Sequence, residues 1–488
     1  MYGIKIDADS DISITRQICS QMRALIESGE LKSGTRLIST RKMSGELNIN
    51  RNTIVEAYEQ LIAEGYLESR TGSGTYVLAG IRSSPQESPA SAPPSLAGRP
   101  QGAKKDVIEF ETGIPDLTSL PVALWGKYLK QASDSPSYIQ DNYSSVMGDI
   151  YLRRILSQYI FRVKGIRCDP RQIMIIAGAS EGFRLIAQVM SVSFDSICLE
   201  EPTVDFTQNI FSFFNYKINP VEVDRNGMNI PALGKPGSPS LILLTPSHQF
   251  PTGSILSVQR RLQAIKLAEE TDSYLIEDDY DSEFRFKGIP VQPLQVLAPS
   301  RVIYLGTFSK TLFPGLRLGF MILPAQLAGM FKEVKSRLNM YTSIIEQRAL
   351  AHFIRDGHMD RHIYRMKNIY KKRRALLVGY LEKYFGSGIA IIGDESGMHV
   401  QVEFKEGDFS GVHWEDAVRY GVKADPFEDY CLIKGKHRNR IVLGYGNVSG
   451  EKLEEGVKRL CQFITEQAGD SSPKQEENGI KQGDSSPK

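Results

Sequence analysis

Cysteine is scarce: the 488 residues hold only five, Cys19, Cys168, Cys198, Cys431 and Cys461, with no CxxC spacing. Scattered and odd in number, they outline neither a disulfide framework nor a zinc site, and no metal is expected. Reduced thiols in a cytoplasmic protein are the simplest reading. No run of about 18 apolar residues is present, so no transmembrane helix is expected. Residues 1–10 carry Asp7 and Asp9 and no apolar h-region, which predicts no signal peptide. Excess charge is absent too: 59 Lys+Arg face 57 Asp+Glu, a net of +2. That leaves nucleic-acid binding open, because such binding needs only a local basic face. With 41% hydrophobic and 24% charged residues the chain is neither mostly disordered nor fibrous. Its length predicts two or more domains.

Proline and serine crowd residues 80–106 (Ser83-Ser84-Pro85, Ser88-Pro89, Pro93-Pro94-Ser95, Arg99-Pro100). Such density cannot build a core and predicts a semi-extended linker. It separates a segment over 1–79 from a large one over 107–468. Residues 469–488 contain a short duplication, Gly469-Asp470-Ser471-Ser472-Pro473-Lys474 recurring from Gly483, and read as a disordered tail.

In the first segment Ile14, Ile18, Met22, Leu25 and Ile26 recur at helical spacing. Ser39 suits the N-cap of a second helix through Leu47, and Asn50 that of a third carrying Ile54, Ala57, Tyr58, Leu61 and Ile62. Two short strands flank Arg70-Thr71-Gly72-Ser73-Gly74. Helix, turn, helix and β-wing make a shape that reads duplex DNA, the later helix of the pair entering the major groove by its N-terminus. That helix begins Asn50-Arg51-Asn52-Thr53, side chains suited to base edges and phosphate. Residues 36–53 hold four cations (Arg36, Arg41, Lys42, Arg51) and one acid, Glu46, although residues 1–80 balance nine Lys/Arg with ten Asp/Glu. A generic small helical domain with a charged surface is the bland alternative.

The run Gly34-Thr35-Arg36-Leu37, Ser39-Thr40-Arg41, Asn50-Arg51-Asn52-Thr53-Ile54, Glu64-Gly65-Tyr66-Leu67 and Gly72-Ser73-Gly74-Thr75-Tyr76-Val77 resembles the GntR-type winged helix-turn-helix. The resemblance implies that Arg41, Arg51, Asn52 and Thr53 meet DNA and that Gly72, with Gly74, shapes the wing. Lys42 and Arg70 are further contacts it suggests.

The large segment alternates helical patterns with short apolar runs (Ile173–Ile176, Leu241–Leu244, residues 274–276 and 302–305), as a mostly parallel sheet covered by helices does. After about Phe320 the pattern becomes long and helical, and strand-like stretches return near 398–404 and 440–444, predicting a smaller second lobe. The sharpest chemical signal is Thr307-Phe308-Ser309-Lys310-Thr311-Leu312-Phe313-Pro314-Gly315-Leu316-Arg317 after an apolar strand. A lysine amine forms an imine with an aldehyde, and hydroxyls and a guanidinium hold phosphate. Ala177-Gly178-Ala179-Ser180 follows a strand and opens a helix, and helix N-terminal amides bind phosphate. Glu277-Asp278-Asp279-Tyr280-Asp281 ends another strand. A carboxylate there pairs with a protonated pyridine nitrogen, as pyridoxal phosphate chemistry needs, and Tyr280 is placed to donate to the ring oxygen. A magnesium site on Asp278, Asp279 and Asp281 is the alternative.

These three segments in this order resemble the fold-type I aminotransferases over roughly 108–465. The resemblance implies an α/β fold with a mainly parallel sheet and a smaller C-terminal α+β lobe. It implies pyridoxal 5'-phosphate as cofactor, with Lys310 as its Schiff-base lysine. Asp278 would face the pyridine nitrogen and Tyr280 the phenolic oxygen. Ala179, Ser180, Thr307, Ser309 and Arg317 would hold the phosphate. The chain departs from the enzymes at three places. Phe250 replaces an asparagine that touches the cofactor oxygen, with His248 or Gln249 as substitutes. Val204 stands where tyrosine is common. Val442 occupies the place of the substrate-carboxylate arginine, leaving Arg438, Arg440 and His248 as candidates for the effector.

A GntR-type module joined by a linker to an aminotransferase-like domain is the layout of the MocR/GabR regulators, to which the whole chain is similar. The resemblance implies a homodimeric transcriptional regulator that binds a double-stranded promoter operator. It would sense an amine or amino-acid-related effector through an external aldimine, with at most slow transamination. The alternatives are an active aminotransferase with a vestigial DNA module, and a DNA-binding protein whose large domain is structural.

Overall fold

The computed structural model describes residues 2–7, 10, 12–78, 107–134, 146–234, 239–286, 291–338, 342–393 and 396–468. The chain divides into two units, residues 1–103 and 104–488. The linker expected over 80–106 and the tail expected over 469–488 lie outside the described residues.

In the first unit, α1 (Ile14–Glu27) buries Ile18, Cys19, Met22 and Ile26, one face of a 3.6-residue period. The next helix, α2 (Thr40–Leu47), starts where the Ser39 hydroxyl accepts the Lys42 amide (3.3 Å), satisfying an orphan donor of the first turn. It ends at Asn48 in the left-handed region. Asn50 caps α3 (Arg51–Ala63) by accepting the Asn52 amide at 2.9 Å, and α3 buries Ile54, Ala57, Tyr58 and Leu61. An antiparallel hairpin follows, β1 (Leu67–Arg70) with β2 (Gly74–Val77). Gly72 (φ 75°) and Gly74 (φ 116°) supply its turn with backbone angles that side chains resist. Ile18, Met22, Leu37, Ile54, Leu61, Leu67 and Val77 share one core.

In the second unit the short β3 (Ile108–Glu109) precedes β4 (Ile173–Ile176), β5 (Ser196–Glu201), β6 (Lys217–Asp224), β7 (Gly227–Met228), β8 (Leu241–Leu244), β9 (Tyr274–Asp279), β10 (Val302–Thr307) and β11 (Gly319–Ile322). The last eight form one sheet in the order β4-β11-β10-β9-β8-β5-β6-β7. β10, β9, β8, β5 and β6 run parallel. The helices Asp205–Phe213 and Val258–Glu270 carry two of the crossovers, as parallel pairing requires. β4 and β8 are buried at every residue, which is why they read as unbroken apolar runs.

β11 departs from the expected helical pattern after residue 320. It lies antiparallel between β10 and β4, so the chain turns back along β10 before the long helices begin. Those helices are Ala328–Leu338, Ile344–Arg355 and His358–Phe385.

The smaller lobe carries β12 (Ile389–Ile392), β13 (His399–Phe404), β14 (Val422–Lys423), β15 (Asp425–Pro426) and β16 (Arg440–Gly444). Its sheet runs β12-β13-β16-β15, antiparallel throughout. β14 pairs with β3, tying residues before the large sheet to the lobe. Among the described residues no helix is long and apolar enough to cross a membrane.

Candidate functional site

Each unit carries one candidate site. In the first, Arg41 and Lys42 open α2, and Arg51, Asn52 and Thr53 open α3. Arg41, Lys42, Arg51 and Asn52 are exposed, and their side chains make no hydrogen bond or ion pair among the described residues. Cations left in solvent at a helix start are available to phosphate. Gly72 is exposed at the wing tip. Arg70 is partly committed, to Glu68 and to the ring of Tyr76, 4.4 Å from its guanidinium carbon.

In the second unit, a cavity of about 300 Å³ opens at the carboxyl ends of the parallel strands, where open α/β sheets place ligands. β10 ends at Thr307, and its return to β11 carries Ser309, Lys310 and Arg317. β9 brings Asp278, with Tyr280 beyond it. The turn after β4 brings Ala179 and Ser180, the first residues of the helix Ala179–Met190. All eight expected cofactor residues line this one cavity.

Lys310 Nζ donates to the Gly113 carbonyl at 2.5 Å. Burial pushes its ammonium below the usual lysine range, and Asp281, Asp278 and Glu111 oppose that shift. The Asp278 carboxylate accepts no hydrogen bond among the described residues. Burial beside Asp279, Glu200 and Asp281 pushes its carboxyl up to about 7, with Lys310 pulling the other way. Tyr280 donates its hydroxyl to the His248 carbonyl at 2.9 Å. Thr307 Oγ1 and Ser309 Oγ lie 3.1 Å apart at the strand end. Gly178 (φ 83°) lets the turn approach the Arg317 guanidinium, which a Cβ there would meet at 3.1 Å. Arg317 Nη2 holds the Ala177 carbonyl at 2.7 Å. Beneath the turn the Glu181 carboxylate accepts the Ala177 amide and faces buried Lys335.

The three carboxylates at the end of β9 and just beyond it are not gathered for a magnesium ion. Asp279 takes Lys164 Nζ at 2.7 Å and the Tyr304 hydroxyl at 2.5 Å. Asp281 takes His248 Nδ1 at 2.9 Å. Asp278 alone faces the cavity. An unpartnered carboxyl, a semi-buried amine and helix amides beside a guanidinium are the donor set that a phosphorylated pyridine aldehyde fits.

The effector candidates fare differently. Arg440 Nη2 pairs with Glu403 at 3.0 Å, and Arg438 reaches the Ser410 carbonyl at 3.4 Å. Neither lines the cavity, and His248 is buried against Asp281. Gln249 bonds the Pro202 carbonyl and Thr252 within its own loop. Phe250 and Val204 do line the cavity. Sequence reasoning missed Thr112, Gly113 and Tyr430, which also line it. They lie far from every motif in the chain, and no short signal marks them.

The Asp278→Asn substitution checks the electrostatics. A carboxyl whose folded pKa is raised from about 4 to about 7 favours folding below pH 4 and loses that contribution as pH rises towards 7. In the cofactor-free protein D278N is therefore expected to equal wild type in stability at pH 4. It should exceed wild type by up to about 4 kcal/mol at pH 8, read as denaturant unfolding at both pH values.

The family model described as aminotransferase class I and II matches residues 105–460. That for bacterial regulatory proteins of the gntR family matches residues 14–77. A probable rhizopine catabolism regulatory protein, MocR of Rhizobium meliloti, is 34% identical over 467 residues, 93% of this chain and 94% of that protein. The pyridoxine biosynthesis transcriptional regulator PdxR of Corynebacterium glutamicum is 32% identical over 380 residues, 77% and 80% of the two chains. Among solved structures, the multiple substrate aminotransferase of Thermococcus profundus superposes with a TM-score of 0.67 at 29% identity, covering 75% of this chain and 92% of that one. The kynurenine aminotransferase of Pyrococcus horikoshii, solved with PMP, gives 0.66 at 27%, covering 74% and 91%.

Proposed function

This chain belongs to the MocR/GabR family of transcriptional regulators, a GntR-type winged helix joined to an aminotransferase class I and II domain, and on that premise we propose that it senses an amine effector at Lys310 and reports it to double-stranded DNA. The cofactor is pyridoxal 5'-phosphate. When bound, it supplies an aldehyde carbon that bonds reversibly to a primary amine. The observation that supports the reading is the convergence of Lys310, Asp278 and the Ala179–Ser180 helix start on one cavity.

This chain's residues divide the work. Ala179 and Ser180 amides, Thr307, Ser309 and Arg317 bind the phosphate, with the helix start supplying partial positive charge. Asp278 would orient the pyridine ring and, faced by a protonated ring nitrogen, would be held ionised. Tyr280 would face the ring oxygen, its hydroxyl turning there from the His248 carbonyl. Lys310, its ammonium disfavoured by burial, would be the amine that holds the cofactor and that an incoming amine would replace. Once free, its amine would hold a proton beside Asp281 and Asp278, which favour its charged form. Arg41, Arg51, Asn52 and Thr53 bind DNA, and Gly72 shapes the wing. A homodimer would present two such modules to paired half-sites.

Signalling requires the effector to favour one of two DNA-binding states over the other. Sensing rather than turnover is supported by Val442, buried against Phe427 and Cys431 where related enzymes carry a cation. The test is the visible absorbance of the loaded protein during titration with primary amines. A shift without steady keto-product formation is expected. Sustained conversion of a keto acid at enzymatic rates would make it an aminotransferase instead.

A further inference from the structure

The cavity wall beyond Lys310 has its own chemistry. Asp425 Oδ2 accepts the Thr112 amide (3.3 Å), the Thr112 hydroxyl (3.0 Å) and the Tyr430 hydroxyl (3.1 Å). The two hydroxyls are also 3.1 Å from each other. Each hydroxyl has one proton. Whichever of these contacts forms, both protons are consumed within the trio. Thr112 and Tyr430 line the cavity, so what they turn towards a ligand is lone pairs backed by a carboxylate. Asp425 stands in register opposite Val442, so the strand behind it brings no compensating cation.

Among the described residues, only Lys310 and Arg317 bring cationic side chains to the cavity. Arg317 lies at the Gly178 turn, on the phosphate side. Glu111 adds to the negative field around Lys310. An acid group at the far end of an effector would meet a carboxylate and two acceptor oxygens, and like charges placed together are strongly selected against.

Resting on the sensing reading above, we infer that the effector is a primary amine whose far end donates hydrogen bonds, through hydroxyl groups or a second ammonium, and carries no carboxylate. Its amine exchanges at Lys310. Its hydroxyl or ammonium protons go to Thr112 Oγ1 and the Tyr430 oxygen, with Asp425 behind them. The apolar side chains of Val204, Phe206 and Phe250 cover the remainder.

The experiment uses the full-length, cofactor-loaded protein and three amines of one length: 3-aminopropan-1-ol, 1,3-diaminopropane and 3-aminopropanoate. The half-saturating concentration for the visible spectral shift is read for each. The alcohol and the diamine are expected to act at concentrations at least about tenfold lower than the acid. Asp425→Asn, whose amide donates as well as accepts, should bring that ratio close to one. An acid that binds as tightly as the alcohol and the diamine overturns the inference and leaves the sensing reading standing. An unchanged ratio in D425N overturns the assignment to Asp425. If none of the three shifts the spectrum, and a wider panel of amines also fails, the sensing reading falls and the inference with it.

Discussion

In the Lys310→Ala variant, the visible band of the lysine-held cofactor is expected to be absent at every cofactor concentration, and the change in DNA binding that follows displacement of the lysine by an amine is expected to be at least severalfold smaller. Alanine removes the one amine that faces the cavity among the described residues. It leaves the phosphate-binding turn, the helix start and Asp278 in place, so the cofactor still binds, non-covalently and more weakly. Because Lys310 touches only the Gly113 carbonyl among the described hydrogen-bond partners, the fold should tolerate the change. Binding measured by fluorescence, with thermal unfolding alongside, separates loss of the covalent link from loss of structure. A variant that keeps both the band and the amine response would place the sensing chemistry elsewhere and favour a structural role for the large domain.

The second large effect lies at the other unit. Arg51→Ala is expected to weaken DNA binding by about 1–3 kcal/mol, roughly 5- to 150-fold, if the side chain reads a base edge. If it touches phosphate only, the loss should be nearly uniform across sequences and the salt slope should fall by about one. Arg51 is exposed and unpaired among the described residues, so its removal costs no internal contact and stability should hold within about 0.5 kcal/mol. The cofactor spectrum should be untouched. Unchanged DNA affinity in both R51A and R41A would mean that the helix starts are not the DNA face.

Much of this was legible in the chain because local chemistry announces itself. Ser39 and Asn50 cap the helices they were expected to cap, since an N-cap side chain acts on amides two or three residues away. The strand–turn–helix at residues 173–180 and the strand ends at Asp278 and Thr307 carry their functional groups within a few residues of an element boundary. Sheet order then gathers them.

Long-range pairing was not legible. β11 is short and lies next to a glycine- and proline-bearing loop, and only its partners β10 and β4 make it a strand. Asp425 and Thr112 stand 313 positions apart. Their meeting depends on β3 pairing with β14 across the lobe, which no window of sequence contains. Charge and position make Arg438 and Arg440 effector candidates in the sequence. Glu403 on the adjacent strand claims Arg440, an antiparallel register pair that the sequence does not reveal.

The most direct test of the account is the affinity of the full-length, cofactor-loaded protein for a duplex selected on the protein itself, with and without an amine that shifts its visible spectrum. A ligand changes an equilibrium only by its differential affinity for the two states. The account predicts that the amine changes DNA affinity in wild type by at least about fivefold, in either direction, and changes it severalfold less in K310A, where no lysine is displaced. An amine that fully shifts the spectrum while DNA affinity stays the same would contradict it, because the two units would then share a chain without sharing a signal.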